Sequence, residues 1–331
     1  MQAEPTLGDS IGIVVIGRNE GERLRRCLRS IDVPAAQVIY VDSGSTDDSV
    51  SFAASSGVRV VALDPAVPFT AARARNEGWH VLLASTKPPL HVQFVDGDCA
   101  FVPGWLAAAD AYLRAHPGVA VVCGRRRERD PGSSVYNRLC DAEWNTPVGE
   151  AKACGGDAMM RTPSLEQVGG FCGDLIAGEE PELCVRLRAA GWKVWRLERE
   201  MTLHDAAMTR FGQWWARAKR GGYAFAEGAR LHGKPPERHW VRELRRAWLW
   251  GAVLPALIAG VVVVAGPMAL WALALYPLQV ARLAVRHQGS WRFRLEQAVF
   301  LVLGKFAEAA GAAAYEWRRL TGRAARLIEY K

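Results

Sequence analysis

The stretch VQFVDGDCAF (92–101) runs an apolar segment into Asp96 and Asp98, two carboxylates separated by one glycine. Like charges at that spacing repel unless a cation neutralises them. Oxygen ligands of this kind suit Mg2+ or Mn2+, which keep some waters and share their coordination with substrate phosphates. The other reading is a solvated polar turn. Glu179 and Glu180 open a predicted helix, where the dipole alone favours acids and Pro181 fits the first turn. A carboxylate facing a metal-bound electrophile could instead take the proton of an attacking hydroxyl, which is general base catalysis. His204, in MTLHDAAM, follows a predicted strand and joins Asp96 and Asp98 as a candidate metal ligand. Gln213, Arg217 and Arg220 recur at helical spacing beyond it. Such arginines bind phosphate oxygens, or present a cationic face to lipid headgroups.

The elements that must hold these residues alternate. IGIVVIG (11–17), QVIYVDS (37–43), VRVVAL (58–63) and HVQFVD (91–96) read as short apolar strands. Between them NEGERLRRCLRSI, STDDSVSFAAS and TAARARNEGWHVLLAS read as helices, the second with Ser45 or Thr46 as its N-cap. This order predicts an α/β domain with a parallel sheet covered on both faces and a ligand crevice beyond the strands' carboxyl ends. Asn19, Glu20, Asp42 and the Asp96/Asp98 pair all follow the ends of predicted strands, so the topology makes them converge.

The chain has 331 residues, half of them hydrophobic, and a net charge of +8 that asks for an anionic partner. Its seven cysteines show no metal-ligand spacing and read as buried thiols in a reducing compartment. MQAEPTLGDS has neither a basic start nor an apolar run, so no export signal is expected there. From Ala247 to Ala281 about 35 residues carry no charge, against roughly 20 for one bilayer crossing. The stretch predicts a two-helix transmembrane hairpin over about 247–285, broken at GPM, with Arg242, Arg245 and Arg246 before it and Arg282 and Arg286 after it. Basic flanks at both ends place both on the cytoplasmic side. Residues 295–320 read as an amphipathic or third membrane helix. The basic excess is then used at anionic headgroups, and nucleic acid is not expected as a partner. The expected domains are 1–235 and 236–331.

No P-loop, no GxGxxG and no G-x-S-x-G elbow is present. Six segments in order, VVIGRNEGERLRRCLRSI, VIYVDSGSTDDSV, ARNEG, FVDGDC, GGDAMMRTPSLEQVGGF and GEEPELCVRLRAAGWKV, resemble glycosyltransferase family 2, the inverting enzymes of the GT-A fold. The similarity covers roughly residues 10 to 230, and the tail resembles that of members in bacterial polysaccharide and glycolipid assembly.

The resemblance implies a GT-A domain followed by a membrane-associated helical region, on the inner membrane with the catalytic domain facing the cytoplasm. It implies a nucleotide-diphosphate sugar donor, a divalent metal and a lipid-linked or saccharide acceptor. Arg18, Asn19, Glu20 and Asp42 take the positions of nucleotide contacts, and Asp96 and Asp98 those of the D-x-D, with Asp98 the more direct metal ligand. Asp157 would lie near the transferred sugar or the acceptor. Glu180 stands where the family has a catalytic aspartate; it is one methylene longer, and Glu179 stays an alternative. Gln213, Arg217 and Arg220 only loosely match the Q-x-x-R-W of processive synthases, which implies single sugar addition. Two other classes fit the same acids: a membrane-bound nucleotide-sugar-binding protein without catalysis, and a nucleotidyltransferase. The latter normally has a glycine-rich basic loop where this chain has GRNEGE.

Overall fold

A computed structural model describes residues 10–322; the segment read for an export signal lies almost wholly outside them. The chain divides into two compact units, Met1–Ala207 and Met208–Lys331.

In the first unit, β1 (Ile11–Gly17), β2 (Val38–Asp42), β3 (Arg59–Ala62) and β4 (His91–Asp96) alternate with α1 (Glu22–Arg29), α2 (Ser49–Ser55) and α3 (Ala71–Leu83). The order β3-β2-β1-β4 is parallel throughout. The remaining strands are β5 (Cys99–Phe101), β6 (Val119–Glu128), β7 (Gly149–Ala151), β8 (Ala158–Arg161) and β9 (Lys193–His204). The helices among them are α4 (Trp105–Ala115), α5 (Val135–Glu143), α6 (Thr162–Val168) and α7 (Glu179–Ala189). The sheet is mixed rather than wholly parallel, because β8 lies antiparallel between β4 and β6. β9 runs parallel to β6, and is long enough to pair its start with β7 and its end with β5 as well. Strands β1, β2 and β4 are buried almost end to end, as expected of a sheet covered on both faces.

One local difference has a clear cause. α2 starts at Ser49 instead of after Ser45 or Thr46, because those two residues are engaged elsewhere. Ser45 donates both its N–H and its hydroxyl to Asp42, and the Thr46 N–H donates to the Asn19 side chain at 2.7 Å.

The second unit is helical: α8 (Phe211–His232), α9 (Val241–Trp248), α10 (Leu254–Ala265), α11 (Leu275–Ala284) and α12 (Trp291–Thr321). α8 therefore groups with the C-terminal helices and not with the sheet, 28 residues ahead of the division expected at 235/236. The reason is its packing on α12. A Cβ on Gly222 would lie 1.9 Å from the Glu308 carbonyl oxygen, and one on Gly311 1.9 Å from that of Lys219. At each contact a glycine of one helix meets a backbone carbonyl of the other.

A π turn joins α9 to α10, and the continuous stretch Val241–Ala265 is long and apolar enough to cross a membrane; so is α12. The second arm of the expected hairpin is not one such helix. Gly266 takes φ +86°, Pro267 starts a 3-10 segment to Ala274, and α11 adds only ten residues. The second span-length helix is α12. Its interrupting charges, Lys305 and Glu308, pair with each other at 2.6 Å, which lowers the cost of carrying both on an apolar helix.

Candidate functional site

β4 ends at Asp96, and Gly97 turns the chain by donating to the Ile16 carbonyl at 2.8 Å. Antiparallel pairing of β5 with β9 then sets Cys99 opposite His204. The imidazole Nε2 lies 3.3 Å from Asp98 Oδ2, with both side chains nearly sealed from solvent, at 8% and 2% exposure. Glu128, the last residue of β6, stands 3.7 Å from the other ring nitrogen, Nδ1. The edge of Trp144 meets the ring. Carboxylates thus stand beside both ring nitrogens, Asp98 the nearer of the two.

Asp96 has a different environment. Its Oδ1 accepts from Arg75 at 2.8 Å, and the Arg126 guanidinium lies 3.8 Å from Oδ2. Arg75 also pairs with Glu179 at 2.5 Å, so one guanidinium joins the end of β4 to the start of α7. Burial works against that charge, but Asp96 and Glu179 outweigh it and hold the Arg75 pKa above its ordinary value. The loop before β8 passes close by: a Cβ on Gly156 would lie 2.6 Å from the Arg75 guanidinium. A side chain there would have to displace the guanidinium from its carboxylates.

Asp157 is fully buried beneath this turn. Its Oδ1 accepts from the Asp96 N–H at 3.1 Å and from Arg126 at 2.9 Å, and its Oδ2 from the Thr202 hydroxyl at 2.8 Å. Glu180 is held through one oxygen: Oε1 accepts from the Cys154 N–H at 2.7 Å and from the thiols of Cys154 and Cys184 at 2.8 and 2.9 Å. Among the described residues none donates to Oε2.

The nucleotide-side loops are tied together as well. Asn19, at φ +55°, donates its N–H to Ser45 Oγ at 2.9 Å. Asp42 accepts from Tyr40 Oη at 3.0 Å and from the Gly44 and Ser45 N–H groups at 2.9 and 2.8 Å. Glu20 pairs with Arg23 at 2.9 Å, and its Cγ would touch a Cβ on Gly97, so this loop borders the Asp96–Asp98 turn. Arg18 lies over the Phe69 ring.

Residues 12–161 match the family model described as Glycosyl transferase family 2. An uncharacterized glycosyltransferase of Mycobacterium tuberculosis, Rv0539, is 30% identical over 203 residues, which cover 58% of this chain and 84% of that protein. A Mycobacterium bovis protein, Mb0553, also an uncharacterized glycosyltransferase, matches to the same extent. The chain belongs to glycosyl transferase family 2. Its fold is similar to that of a mannosyltransferase from Pyrobaculum calidifontis, solved with GDP-Man and Mn2+, at TM-score 0.62 and 21% identity over 96% of this chain and 90% of that one. The first unit is thus a GT-A glycosyltransferase domain.

Within this family 2 domain the candidate residues separate by what their side chains do. Asp98 and His204 meet, with the Cys99 thiol in the same cluster, and the carboxylate oxygen and imidazole nitrogen are donors that fit Mn2+ or Mg2+. Asp96 belongs to the arginine pair. Asp42 takes hydrogen bonds from its own loop, and Asp157 from the Asp96 turn, Arg126 and Thr202. Arg217 and Arg220 lie half-buried on α8 in the second unit. Gln213 caps that helix, accepting from the Thr209 and Arg210 N–H groups.

Arg75, Arg126 and Glu128 were not singled out in the sequence. Arg75 stood inside the ARNEG segment, and that was its only signal. Its neighbour Asn76 exchanges two hydrogen bonds with the Phe171 backbone, at 2.8 and 2.9 Å, which explains why ARNEG and VGGF occur together. Arg126 and Glu128 gave no signal, because their partners lie 31 and 76 residues away in Asp157 and His204.

Proposed function

We propose that this chain transfers a sugar from a nucleotide-diphosphate sugar to an acceptor hydroxyl with inversion at the anomeric carbon, that it needs a divalent metal, and that the acceptor is lipid-linked in cell-surface polysaccharide or glycolipid assembly. The observation that carries the metal and donor reading is the buried Asp98–His204 pair at the carboxyl ends of the strands, beside Arg126 and Arg75. The similar mannosyltransferase holds GDP-Man and Mn2+, in agreement with this assignment.

A divalent cation held by Asp98 and His204 would offset the charge that builds on the departing diphosphate. Arg126 and Arg75 fix Asp96 beside that position, and Asp157 fixes the turn that carries it. Arg18, Asn19 and Glu20 form the loop assigned to the nucleotide. Glu180 is the general base: Oε1 is anchored by three donors, and Oε2 is left to take the proton of the acceptor hydroxyl. Glu179 is less suited, because its Oε1 is tied to the buried Arg75 guanidinium at 2.5 Å. One displacement on the face opposite the leaving group inverts the configuration, through an oxocarbenium-like state of the kind glycosidases use. Arg217 and Arg220 keep a role in phosphate binding on their spacing and charge.

The lipid-linked acceptor and the inner-membrane location, with the first unit cytoplasmic, rest on the two span-length helices and the basic residues flanking the apolar stretch. The test is Glu180→Gln, with donor binding and transfer measured separately. Binding is expected unchanged and turnover lower by about 10² to 10⁴. Near-wild-type turnover removes Glu180 from the role. Release of pyrophosphate instead of nucleoside diphosphate would identify a nucleotidyltransferase.

A further inference from the structure

Two of the cysteines converge on one carboxylate oxygen. Cys184 is four residues after Glu180 on α7, so the helix sets both on one face. Cys154 arrives from the loop before β8, held there by its own N–H on Glu180 Oε1. The two sulfurs are 3.9 Å apart, and both sulfurs and the carboxylate oxygen lie within 4.8 Å of one another. A tetrahedral cation with two thiolates at about 2.3 Å holds its sulfurs about 3.8 Å apart. That is the spacing found.

We propose that Cys154, Cys184 and Glu180 form a second metal site, for a thiophilic divalent cation of the zinc class, and that filling it withdraws Glu180 from proton transfer. The donor sets differ in sulfur: a carboxylate, an imidazole and the single Cys99 thiol stand at Asp98 and His204, whereas two sulfurs and a carboxylate here suit Zn2+. Binding is a proton exchange without redox change. Two thiols give up their protons to solvent, two metal–sulfur bonds form, and the carboxylate contributes its existing charge. The sulfur–oxygen separations, now of hydrogen-bond length, open by roughly 0.6 Å to reach a tetrahedral edge. Cys154 is partly exposed, which gives the cation a way in and leaves a fourth position for water. The bound site carries one net negative charge, and Arg188 beside Cys184 and Arg196 beside Cys123 oppose it.

The empty site is unreactive. The hydrogen bond from Cys154 pulls the Cys184 pKa down, but burial and Glu180 outweigh it and lift the thiol to about 11. Burial and the Cys184 neighbour also push Cys154 up. Neither is a thiolate at neutral pH. An oxidant or alkylating agent finds little nucleophile there, and a cation that displaces the protons is the reagent to which the cluster can respond.

The binding half stands on geometry alone, and the inhibitory half rests on Glu180 as the base. The test uses the full chain in detergent with excess Mn2+, titrated with Co2+ and Cd2+ as spectroscopic probes. A thiolate-to-metal charge-transfer band is expected, saturating at one equivalent, unchanged in Asp98→Ala and weakened roughly tenfold or more in Cys184→Ser and Cys154→Ser. Absence of the band, or an equal band in both cysteine variants, overturns the site. If Cys184→Ser does not fold, Cys154→Ser on the partly exposed loop carries the same comparison. In parallel, Zn2+ at fixed Mn2+ is expected to lower wild-type transfer at least about tenfold, and that of Cys184→Ser far less relative to its own rate. A band without inhibition overturns the link to Glu180 and leaves the site. A preparation that transfers no sugar yet shows the band contradicts the functional reading alone.

Discussion

The two units bury opposite kinds of residue. In Met1–Ala207 the large apolar side chains of the strands are covered, and so are Asp42, Arg75, Asp98, Asp157, Glu179, Glu180 and His204. In Met208–Lys331 glycines let backbone carbonyls of neighbouring helices approach closely, while Val263, Val264 and Trp271 are 85%, 89% and 73% exposed. The most apolar stretch of Val241–Ala265 is only 11% buried by protein, against 44% for Trp291–Thr321. The first arrangement suits water, where covered strands form a rigid frame that can hold charges away from solvent. The second suits lipid: apolar burial drives nothing there, and close backbone contact between small residues holds helices together.

Four changes probe this contrast, in order of expected size. Arg75→Met removes the guanidinium shared by Asp96 and Glu179 and leaves the buried Glu179 carboxylate uncompensated. The expected loss is about 3–5 kcal/mol of stability, read from urea denaturation. A loss under 1 kcal/mol would mean that this buried charge is not structural. Gly222→Val drives a side chain into the Glu308 carbonyl. Overpacking of about 1–3 kcal/mol is expected, seen as a lower thermal midpoint in detergent. An unchanged midpoint would show that the helices part without cost.

Asp110→Asn asks whether any buried charge marks the site. Asp110 bonds His91 at 2.7 Å and Arg114 at 2.8 Å, at the start of β4, the opposite end from Asp96. Burial pushes its pKa up, but the hydrogen bonds from His91 and Arg114 outweigh it and hold it below 3.8. A depressed folded pKa contributes stability above the unfolded value, and that contribution fades as pH falls through the folded one. The variant should therefore be less stable than wild type at pH 7, and the gap should close below about pH 4, with transfer unaffected. Smallest is Val264→Ser, expected to shift the midpoint in detergent by less than about 0.5 kcal/mol yet to weaken retention in membranes on carbonate extraction. A large loss of folding stability would instead place Val264 against protein.

The sequence was most legible where burial is uniform. The runs 11–17 and 91–96 became β1 and β4 with the same bounds, because strands covered on both faces read as unbroken apolar segments. Asp98 and His204 were legible as polar residues after strands, since topology alone carries those to one crevice. Arg126, Glu128 and the placement of α8 were not. Each depends on a partner far along the chain, and the α8 contact depends on glycines, whose absent side chains leave no periodic signal. Gly266 and Pro267 were visible as a break, but not that the chain beyond would continue as a 3-10 segment and a short helix instead of a span.

The central claim is that Asp98 and His204 hold a cation against a nucleoside diphosphate. Calorimetric titration of the full chain with GDP and with UDP, each with and without Mn2+, tests it most directly. At least one nucleotide is expected to bind roughly tenfold or more tighter with the metal, and Asp98→Ala and His204→Ala should each abolish that gain. Equal affinity with and without Mn2+, or a metal gain that survives both substitutions, would contradict it.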